Sequence, residues 1–295
     1  MKKKYFILIL FFITVITVRA QISRGFVKES LVINSKVLHK EVTYSIYLPF
    51  DYNSSSRYYP VVYLLHGFTD NDKGWIQYGE ANMIADEAIA ERQIPPMILV
   101  MPDAGLSWYI NNYNKKVNYE EFFFKEFIPY IEAKYRILKQ KRFRGVAGLS
   151  MGGYGALIYA MKHPEMFSAC AAFSAAVFTD TQYIRMSPQQ WDNSQAVLFG
   201  KNLKGKARLT SVLKNNSRLH LVDSLQVQKL KSVRYYIDCG DDDFLSIGNS
   251  ILHIKMIKRR VPHEYRVRNG KHQWSYWRSG LKKGLQFIGT SFQHK

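Results

Sequence analysis

Short apolar segments alternate with helical patterns through most of this sequence, and this alternation restricts the possible folds more than any other feature. Five segments have the length and composition of strands that are buried on both faces: Val61–Leu65, Met97–Met101, Phe143–Ala147, Ser168–Phe173 and Val233–Ile237. Helical spacing of apolar residues occurs between several of them. Strands that alternate with helices predict an α/β fold with a mostly parallel central sheet and helices on both faces.

The remaining segments complete this outline. One helical face is formed by residues at 3.6-residue spacing: Phe124, Phe127, Ile128, Ile131 and Tyr135. A second, apolar helix is predicted over Tyr154–Met161 and is stopped by Pro164. Phe26–Asn34 and Val42–Leu48 are predicted to form an antiparallel edge. The segment at about 178–232 breaks the rhythm with short polar stretches, and it is predicted to be a cap-like insertion over the functional edge of the sheet.

The first twenty residues have the pattern of a secretory signal peptide. Lysines at positions 2 to 4 precede an apolar run that ends at Val18, and Val18-Arg19-Ala20 suits cleavage before Gln21. The alternative is a membrane anchor, but this run is shorter than the roughly 20 apolar residues that a spanning helix needs. We therefore expect a secreted or periplasmic protein with no stable membrane insertion after signal removal, and one α/β domain over residues 21–295.

The charge and the cysteine content restrict the kinds of partner and metal site that we expect. The formal net charge is +19 at pH 7, which favours anionic surfaces such as acidic polysaccharide or envelope lipid. The basic residues are scattered and accompany no nucleic-acid-binding motif, so we interpret the charge mainly as solvated surface and expect no nucleic-acid partner. Cys170 and Cys239 are too few for a disulfide scaffold or a cysteine-based metal site. Buried thiols are expected, although a single disulfide after export stays open.

The candidate nucleophile is Ser150, in Gly148-Leu149-Ser150-Met151-Gly152. This stretch matches Gly-x-Ser-x-Gly between a predicted strand and a predicted helix, a context typical of a serine raised on a sharp turn. The glycines allow backbone segments to approach where a Cβ atom would clash. The backbone N–H of Met151 is then a candidate donor to a developing oxyanion. The alternative is a glycine-rich helix cap with a capping serine.

The second oxyanion donor is expected in the loop after another strand. His66-Gly67-Phe68 directly follows Val61–Leu65, so the N–H of Phe68 is the candidate, and Gly67 allows the close approach. His66 also has the chemistry of a general base. We expect it instead to hold the turn by hydrogen bonds at the border of the substrate site.

The acid of a serine triad on this fold should follow the nucleophile and precede the histidine. Val233–Ile237 leads into a stretch with four aspartates, from Asp238 to Asp243. Asp243 is the first choice because it lies on the loop beside apolar residues, and Asp242 is the second. A calcium site in this stretch is the alternative, but the further oxygen ligands of a known motif are missing.

Six histidines follow Ser150, and His272 is the candidate base. It lies in a loop between the strand-like segment Tyr265–Val267 and a helix predicted from about 276 to 288. His253, in contrast, falls within a predicted amphipathic helix, where a packing role is more common. Asp243 and His272 are therefore expected on neighbouring loops at one edge of the sheet.

At these positions the chain resembles the secreted "Putative esterase" family of the α/β-hydrolase superfamily. That family includes feruloyl, acetylxylan and tributyrin esterases, with S-formylglutathione hydrolases and mycolyltransferases as more distant relatives. The resemblance extends from about residue 25 to 290 through these motifs: Leu64-Leu65-His66-Gly67 with Trp75, Met101-Pro102-Asp103-Ala104-Gly105 with Ser107-Trp108-Tyr109, residues 147–155, Asp243-Phe244-Leu245, and His272-Gln273-Trp274. Three consecutive aspartates depart from the usual acid loop, which leaves the triad acid open by one position.

The resemblance implies an α/β-hydrolase fold and the triad Ser150, Asp243 and His272. It also implies oxyanion donors at Phe68 and Met151. The activity to expect is carboxylic-ester hydrolysis through an acyl-enzyme, without a metal or organic cofactor.

The implied substrates are feruloyl or acetyl esters of polysaccharides, or other short-chain esters. His66, Trp108, Tyr109 and Trp274 are expected to border the acyl or sugar pocket, although aromatic residues at 108 and 109 also suit a plain core. Two alternative functions stay open. One is acyl transfer to a sugar hydroxyl, and the other is carbohydrate binding by a catalytically silent homologue.

Overall fold

The structure is a computed structural model that describes residues 23–293. The predicted signal peptide, residues 1–20, lies outside the described residues. Eight strands form one mixed sheet. They are β1 (Phe26–Ser35), β2 (Lys40–Leu48), β3 (Val61–Leu65), β4 (Ile98–Pro102), β5 (Arg144–Leu149), β6 (Ala169–Phe173), β7 (Arg234–Gly240) and β8 (His263–Arg268).

The order of the strands across the sheet is β1-β2-β4-β3-β5-β6-β7-β8. β2 pairs antiparallel with both β1 and β4, whereas all pairs from β4 to β8 are parallel. This confirms the predicted α/β-hydrolase architecture with its antiparallel edge. Because the carboxyl ends of the parallel strands lie at one edge, the loops after β3, β5, β7 and β8 meet there.

Helices cover both faces of the sheet. The helices are α1 (Gly74–Gln77), α2 (Ala81–Ala90), α3 (Tyr119–Phe122), α4 (Ile128–Lys134), α5 (Met151–Lys162), α6 (Asp180–Arg185), α7 (Pro188–Ser194), α8 (Ala196–Phe199), α9 (Ser211–Asn215), α10 (Arg218–Ser224), α11 (Val227–Lys231), α12 (Ser246–Lys258) and α13 (Trp274–Gln293). Short 3-10 helices occupy Lys141–Phe143 and Gly205–Arg208. One core layer lies under α3 to α5 and α12, and the other lies under α1, α2 and α13.

Two elements differ from their predicted form. β5 continues two residues past its predicted end, through Gly148 and Leu149, to the residue before Ser150. The pattern of apolar residues did not predict this end of β5, because Gly148 has no side chain that could indicate a buried strand. In addition, a π-helical turn at Phe123–Phe127 joins α3 to α4. This wider turn buries Phe123 in the core, whereas the 3.6-residue spacing predicted a continuous helix.

The segment at about 178–232 forms the predicted insertion between β6 and β7 and consists of the short helices α6 to α11. Arg218, in α10, is fully buried and attaches this insertion to the rest of the molecule. Its guanidinium donates to the carbonyl oxygen of Ala176 and lies 3.8 Å from the ring centroid of Tyr154 in α5. The insertion is therefore packed directly against the helix that follows Ser150.

Cys170 and Cys239 are both buried as free thiols, as the sequence predicted. Burial raises the pKa of Cys239 to about 12, which makes this thiol unreactive at neutral pH. None of the helices within residues 23–293 is long and apolar enough to cross a membrane.

Candidate active site

Ser150 lies between the end of β5 and the start of α5, at the carboxyl edge of the sheet. Its φ of +53° and ψ of −115° are in a region that residues other than glycine rarely adopt. The N–H of Ser150 donates to the carbonyl oxygen of Phe173 at 2.9 Å and helps to hold this conformation. A Cβ atom at Gly152 would overlap the carbonyl oxygen of Leu65, so the tight turn after the serine depends on glycine.

Three side chains from distant parts of the chain meet at this edge. The Oγ of Ser150 lies 2.9 Å from Nε2 of His272, and Nδ1 of His272 lies 2.9 Å from Oδ2 of Asp243. With Nδ1 as the donor to the carboxylate, Nε2 has a lone pair directed at the serine hydroxyl. This is the arrangement that a general base needs to deprotonate Ser150.

The carboxylate of Asp243 is buried, and several hydrogen bonds stabilise its negative charge. Burial by itself would raise its pKa, but hydrogen bonds from His272, the backbone N–H of Leu245 and Ser174 outweigh that effect and lower the pKa. The bond from the N–H of Leu245 is 2.9 Å long. Asp243 is therefore ionised at neutral pH and suited to orient the imidazole of His272.

The preceding aspartates have other contacts. The Oδ1 of Asp241 accepts a hydrogen bond from the N–H of Gly270 at 2.9 Å, which joins the acid loop to the loop of His272. The side chain of Asp242 is exposed, and only its backbone N–H contacts that loop. Of the three consecutive aspartates, Asp243 is the one that contacts His272. Within residues 23–293, no group of three or more His, Cys, Asp or Glu side chains is arranged to hold a metal.

The two candidate oxyanion donors lie close to the nucleophile. A Cβ atom built on Gly67 would lie 3.7 Å from the Cβ of Ser150, so the loop that contains Phe68 passes beside the serine. Met151 is the first residue of α5. In the part of the chain that the structure describes, neither Phe68 nor Met151 donates its backbone N–H to another protein group. Both groups are therefore free to bind an oxyanion, and the N-terminus of α5 adds a favourable dipole.

A cavity of about 550 Å³ opens beside Ser150. Its wall is mainly aromatic and aliphatic, with few polar groups apart from the serine and the histidine. The lining residues are Gly67, Phe68, Asp70, Trp108, Leu149, Ser150, Ala176, Phe178, Ser194, Phe244, Leu245, His272, Gln273, Trp274 and Trp277. A volume of this size in an apolar wall with a few polar groups is typical of a small-molecule site.

Comparison with known proteins identifies the family of this chain. Residues 35–288 match the family model described as "Putative esterase". The chain belongs to this family. Among solved structures, a ferulic acid esterase aligns with a TM-score of 0.79 and 33% identity, covering 91% of this chain and 99% of that one. This esterase-family chain therefore shares its fold with that ferulic acid esterase.

Two curated relatives of this esterase-family chain differ in length. An acetyl esterase of Caldicellulosiruptor saccharolyticus is 26% identical over 264 residues, which cover 86% of this chain and 95% of the relative. An esterase of Mycobacterium tuberculosis is 29% identical over 247 residues, or 77% of this chain. Those residues are 52% of that relative, so the present chain spans about half the length of the mycobacterial esterase.

Of the four residues expected at the pocket of this esterase-family chain, the structure brings two to the cavity. Trp108 and Trp274 line it. His66 and Tyr109 lie behind the wall, and their predicted place at the border of the pocket is corrected. The ring of His66 contacts the carbonyl oxygen of Gly67 and accepts from the N–H of Ala104, both at 2.8 Å. The hydroxyl of Tyr109 donates to the carbonyl oxygen of His66 at 3.0 Å. Both residues thus support the oxyanion loop.

Sequence analysis missed several lining residues: Asp70, Phe178, Ser194, Phe244, Leu245, Gln273 and Trp277. Phe244 and Trp277 both pack on His272, with ring centroids 4.6 Å and 4.8 Å away. Their closeness in sequence to Asp243 and His272 was the available signal. Phe178 and Ser194 come from the insertion, and no pattern in the sequence indicates which of its residues face the site.

Proposed function

We propose that the protein is an exported serine carboxylic-ester hydrolase that acts on feruloyl or acetyl esters of polysaccharides, or on other short-chain esters. The observation that supports this most strongly is the unbroken series of contacts from Ser150 through His272 to Asp243. Both links are 2.9 Å long, within hydrogen-bond distance. A catalytically silent homologue would have no need of this geometry.

The reaction would proceed in two steps through an acyl-enzyme. His272 takes the proton of the Ser150 hydroxyl on Nε2 as Oγ attacks the ester carbonyl carbon, and the N–H groups of Phe68 and Met151 stabilise the oxyanion. The imidazolium, held by the Asp243 carboxylate, then protonates the leaving alcohol. In the second step His272 deprotonates a water molecule that attacks the acyl carbon, and Ser150 regains its proton when the acid leaves.

The proposed substrates follow from the relatives and from the wall of the cavity. The relatives are named as an acetyl esterase and a ferulic acid esterase. The aromatic lining, which includes Phe68, Trp108 and Trp274, offers planar apolar surface to an acyl group. Export is supported by the signal-peptide pattern of residues 1–20.

Replacement of the nucleophile tests the proposal. We expect Ser150→Ala to lower kcat/KM for p-nitrophenyl acetate and butyrate by at least about 10⁴-fold, because the acyl-enzyme forms on the Ser150 hydroxyl, which is the one that contacts His272. The matched control is Ser54→Ala, which alters an exposed serine outside the site. A fluorophosphonate probe should label the wild type and Ser54→Ala but not Ser150→Ala.

Undiminished hydrolysis by Ser150→Ala would overturn the assignment. The same probe tests export when it is applied to separate cell fractions of the source organism. Labelled protein confined to the cytoplasmic fraction would contradict a secreted or periplasmic location.

A further inference from the structure

A groove of about 510 Å³ lies between the last strands of the sheet and α13, and it shares no lining residue with the cavity beside Ser150. β8 is the terminal strand, so no further strand covers this side of the sheet. Side chains of β7 and β8 form one wall of the groove, and side chains of α13 form the other. Four of the lining residues are basic: Arg234, Arg266, Arg268 and Lys283.

Carboxylates neutralise two of these four cations. Glu264 pairs with Arg266 at 2.6 Å, and a buried carboxylate of β7 pairs with Arg268 at 3.0 Å. Within residues 23–293, no Asp or Glu side chain forms an ion pair with Arg234 or Lys283. The groove therefore has two uncompensated positive charges, and it favours an anionic ligand.

The guanidinium of Arg234 is held in the groove by its contacts. Its Nη1 donates to the hydroxyls of Thr290 and Ser291, both at 2.8 Å. Its Cζ lies 4.5 Å from the ring centroid of Phe287. In the part of the chain that the structure describes, Nε and Nη2 of Arg234 donate to no protein group. A fixed guanidinium with free N–H groups is suited to bind both oxygens of a carboxylate.

The groove has the shape of a site for an extended polymer. Glu264 and Arg268 both line it, and four residues of strand span about 13 Å. The groove continues into a second cavity of about 230 Å³, whose wall also includes Arg234 and Phe287. The exposed Lys231 lies in this second cavity. A concave and extended surface with several cations suits an anionic chain, whereas a planar lipid surface would contact its rim alone.

We propose that this groove binds the uronate residues of an acidic polysaccharide outside the active-site cavity. The guanidinium of Arg234 would bind one sugar carboxylate, and the ammonium groups of Lys283 and Lys231 would bind others along the chain. The groove also reaches Arg268, four residues before His272, so a bound polysaccharide would pass close to the loop that carries this histidine. The inference goes beyond the proposed ester hydrolysis, because binding in the groove requires no reaction.

A pair of oligosaccharides that differ in charge tests the inference. Tetragalacturonate has a carboxylate on each sugar, whereas its carboxyl-reduced form has a neutral hydroxymethyl group in each of these places. The dissociation constants are measured by calorimetric titration of the Ser150→Ala protein. We expect the reduced form to bind at least about tenfold more weakly, because it cannot accept a charge-assisted pair of hydrogen bonds from Arg234. Added salt should weaken the binding of tetragalacturonate.

Two double variants with the same loss of charge, made in the Ser150→Ala background, locate the binding site. Arg234→Gln with Lys283→Gln should weaken the binding of tetragalacturonate about fivefold to tenfold, because each exposed ion pair contributes little by itself. The matched control is Arg24→Gln with Lys28→Gln, which alters exposed residues at the β1 edge of the sheet, opposite β8. The control should change the binding less than about twofold. Lys283→Gln alone replaces an exposed side chain, and it should weaken the binding about twofold to threefold even if Arg234→Gln lowers stability.

Equal losses in the two double variants would show that net charge alone attracts the polymer, and they would overturn the inference. Equal binding of the two oligosaccharides, or no binding of tetragalacturonate, would overturn it as well. Phosphatidylglycerol vesicles test the other anionic partner: vesicle binding that depends on Arg234 and Lys283, without binding of tetragalacturonate, would assign the groove to a lipid surface instead. Groove binding by a protein whose wild type hydrolyses no ester would support this inference and contradict the proposed function alone.

Discussion

Neighbouring aspartates in the acid loop have different surroundings. The side chain of Asp243 is inaccessible to solvent and contacts His272 with both oxygens, at 2.9 Å and 3.2 Å. Asp242 is exposed. The two residues are adjacent and chemically identical. Backbone geometry alone therefore places Asp243, and not Asp242, in contact with His272.

We expect Asp243→Asn to lower kcat for p-nitrophenyl acetate by about 10³–10⁴-fold, whereas Asp242→Asn should change it less than threefold. The asparagine amide would donate to Nδ1 of His272, so the imidazole proton would move to Nε2 and face Ser150. His272 could then not accept the serine proton. Steady-state kinetics of the two variants provide the measurement, and a larger loss in Asp242→Asn would contradict the assignment.

The difference in stability between the wild type and Asp243→Asn should also depend on pH. Hydrogen bonds lower the pKa of Asp243 in the folded protein, so this carboxylate contributes stability that is complete above its unfolded pKa of about 3.9. That contribution is lost as the pH falls through the lower folded value. The stability difference between wild type and variant should therefore shrink at strongly acidic pH in denaturant titrations.

At the scale of elements, one buried carboxylate joins the structures on both sides of the His272 loop. Asp238, at the end of β7, accepts two hydrogen bonds of 3.0 Å from Arg268, the last residue of β8. The hydroxyl of Tyr276, in α13, donates to the same carboxylate. Arg268 also donates to the carbonyl oxygen of Tyr276 at 3.1 Å. The loop with His272 is therefore fixed where it leaves β8 and where it enters α13.

We expect Arg268→Met to lower the free energy of unfolding by about 3 kcal/mol, because it leaves the charge of Asp238 buried without its cation. The value of kcat should fall with little change in KM, since a less well fixed His272 affects the chemical step more than binding. The matched control is Arg266→Met, whose exposed ion pair with Glu264 is worth less than about 1 kcal/mol. Denaturant unfolding measures both variants, and equal losses would contradict the role of Asp238.

The sequence indicated the elements and the triad for related physical reasons. Continuous apolar runs predict buried strands such as β3, and glycines mark the turn where Ser150 emerges. Each residue of the triad follows a strand, so the parallel topology brings the three together. The direction of a side chain within a loop has no such signal. For this reason His66 and Tyr109 were expected at the pocket, although their polar atoms bind backbone groups behind it.

Side-chain contacts between residues that are far apart in the sequence could not be predicted from it either. Arg268 is 30 positions from Asp238, and neither belongs to a motif. Contacts of this kind distinguish the four aspartates from Asp238 to Asp243. Asp238 binds Arg268, Asp241 binds the N–H of Gly270, and Asp243 binds His272. The sequence therefore predicted the edge of the sheet where the candidate site lies and favoured Asp243 as the partner of His272, but it did not predict the contacts of Asp238 and Asp241.

At the scale of the whole molecule, the insertion and the catalytic sheet share one buried cation. Arg218 belongs to the insertion, and its guanidinium donates to the carbonyl oxygens of Asn216 and Ala176. It also stacks on Tyr154, four residues after the nucleophile. Ala176 lines the cavity. The side chain of Arg218 thus connects the insertion, α5 and the wall of the cavity.

We expect Arg218→Met to loosen the insertion, because the carbonyl oxygens of Ala176 and Asn216 would remain buried without a donor, at a cost of about 1–3 kcal/mol each. Hydrogen exchange over residues 178–232 should become faster, and KM for methyl ferulate should rise more than KM for p-nitrophenyl acetate, since a larger acyl group depends more on the wall of the cavity. The matched control is Arg185→Met, which alters an exposed arginine of the same insertion. Unchanged exchange in Arg218→Met would show that the insertion is held by its apolar contacts alone.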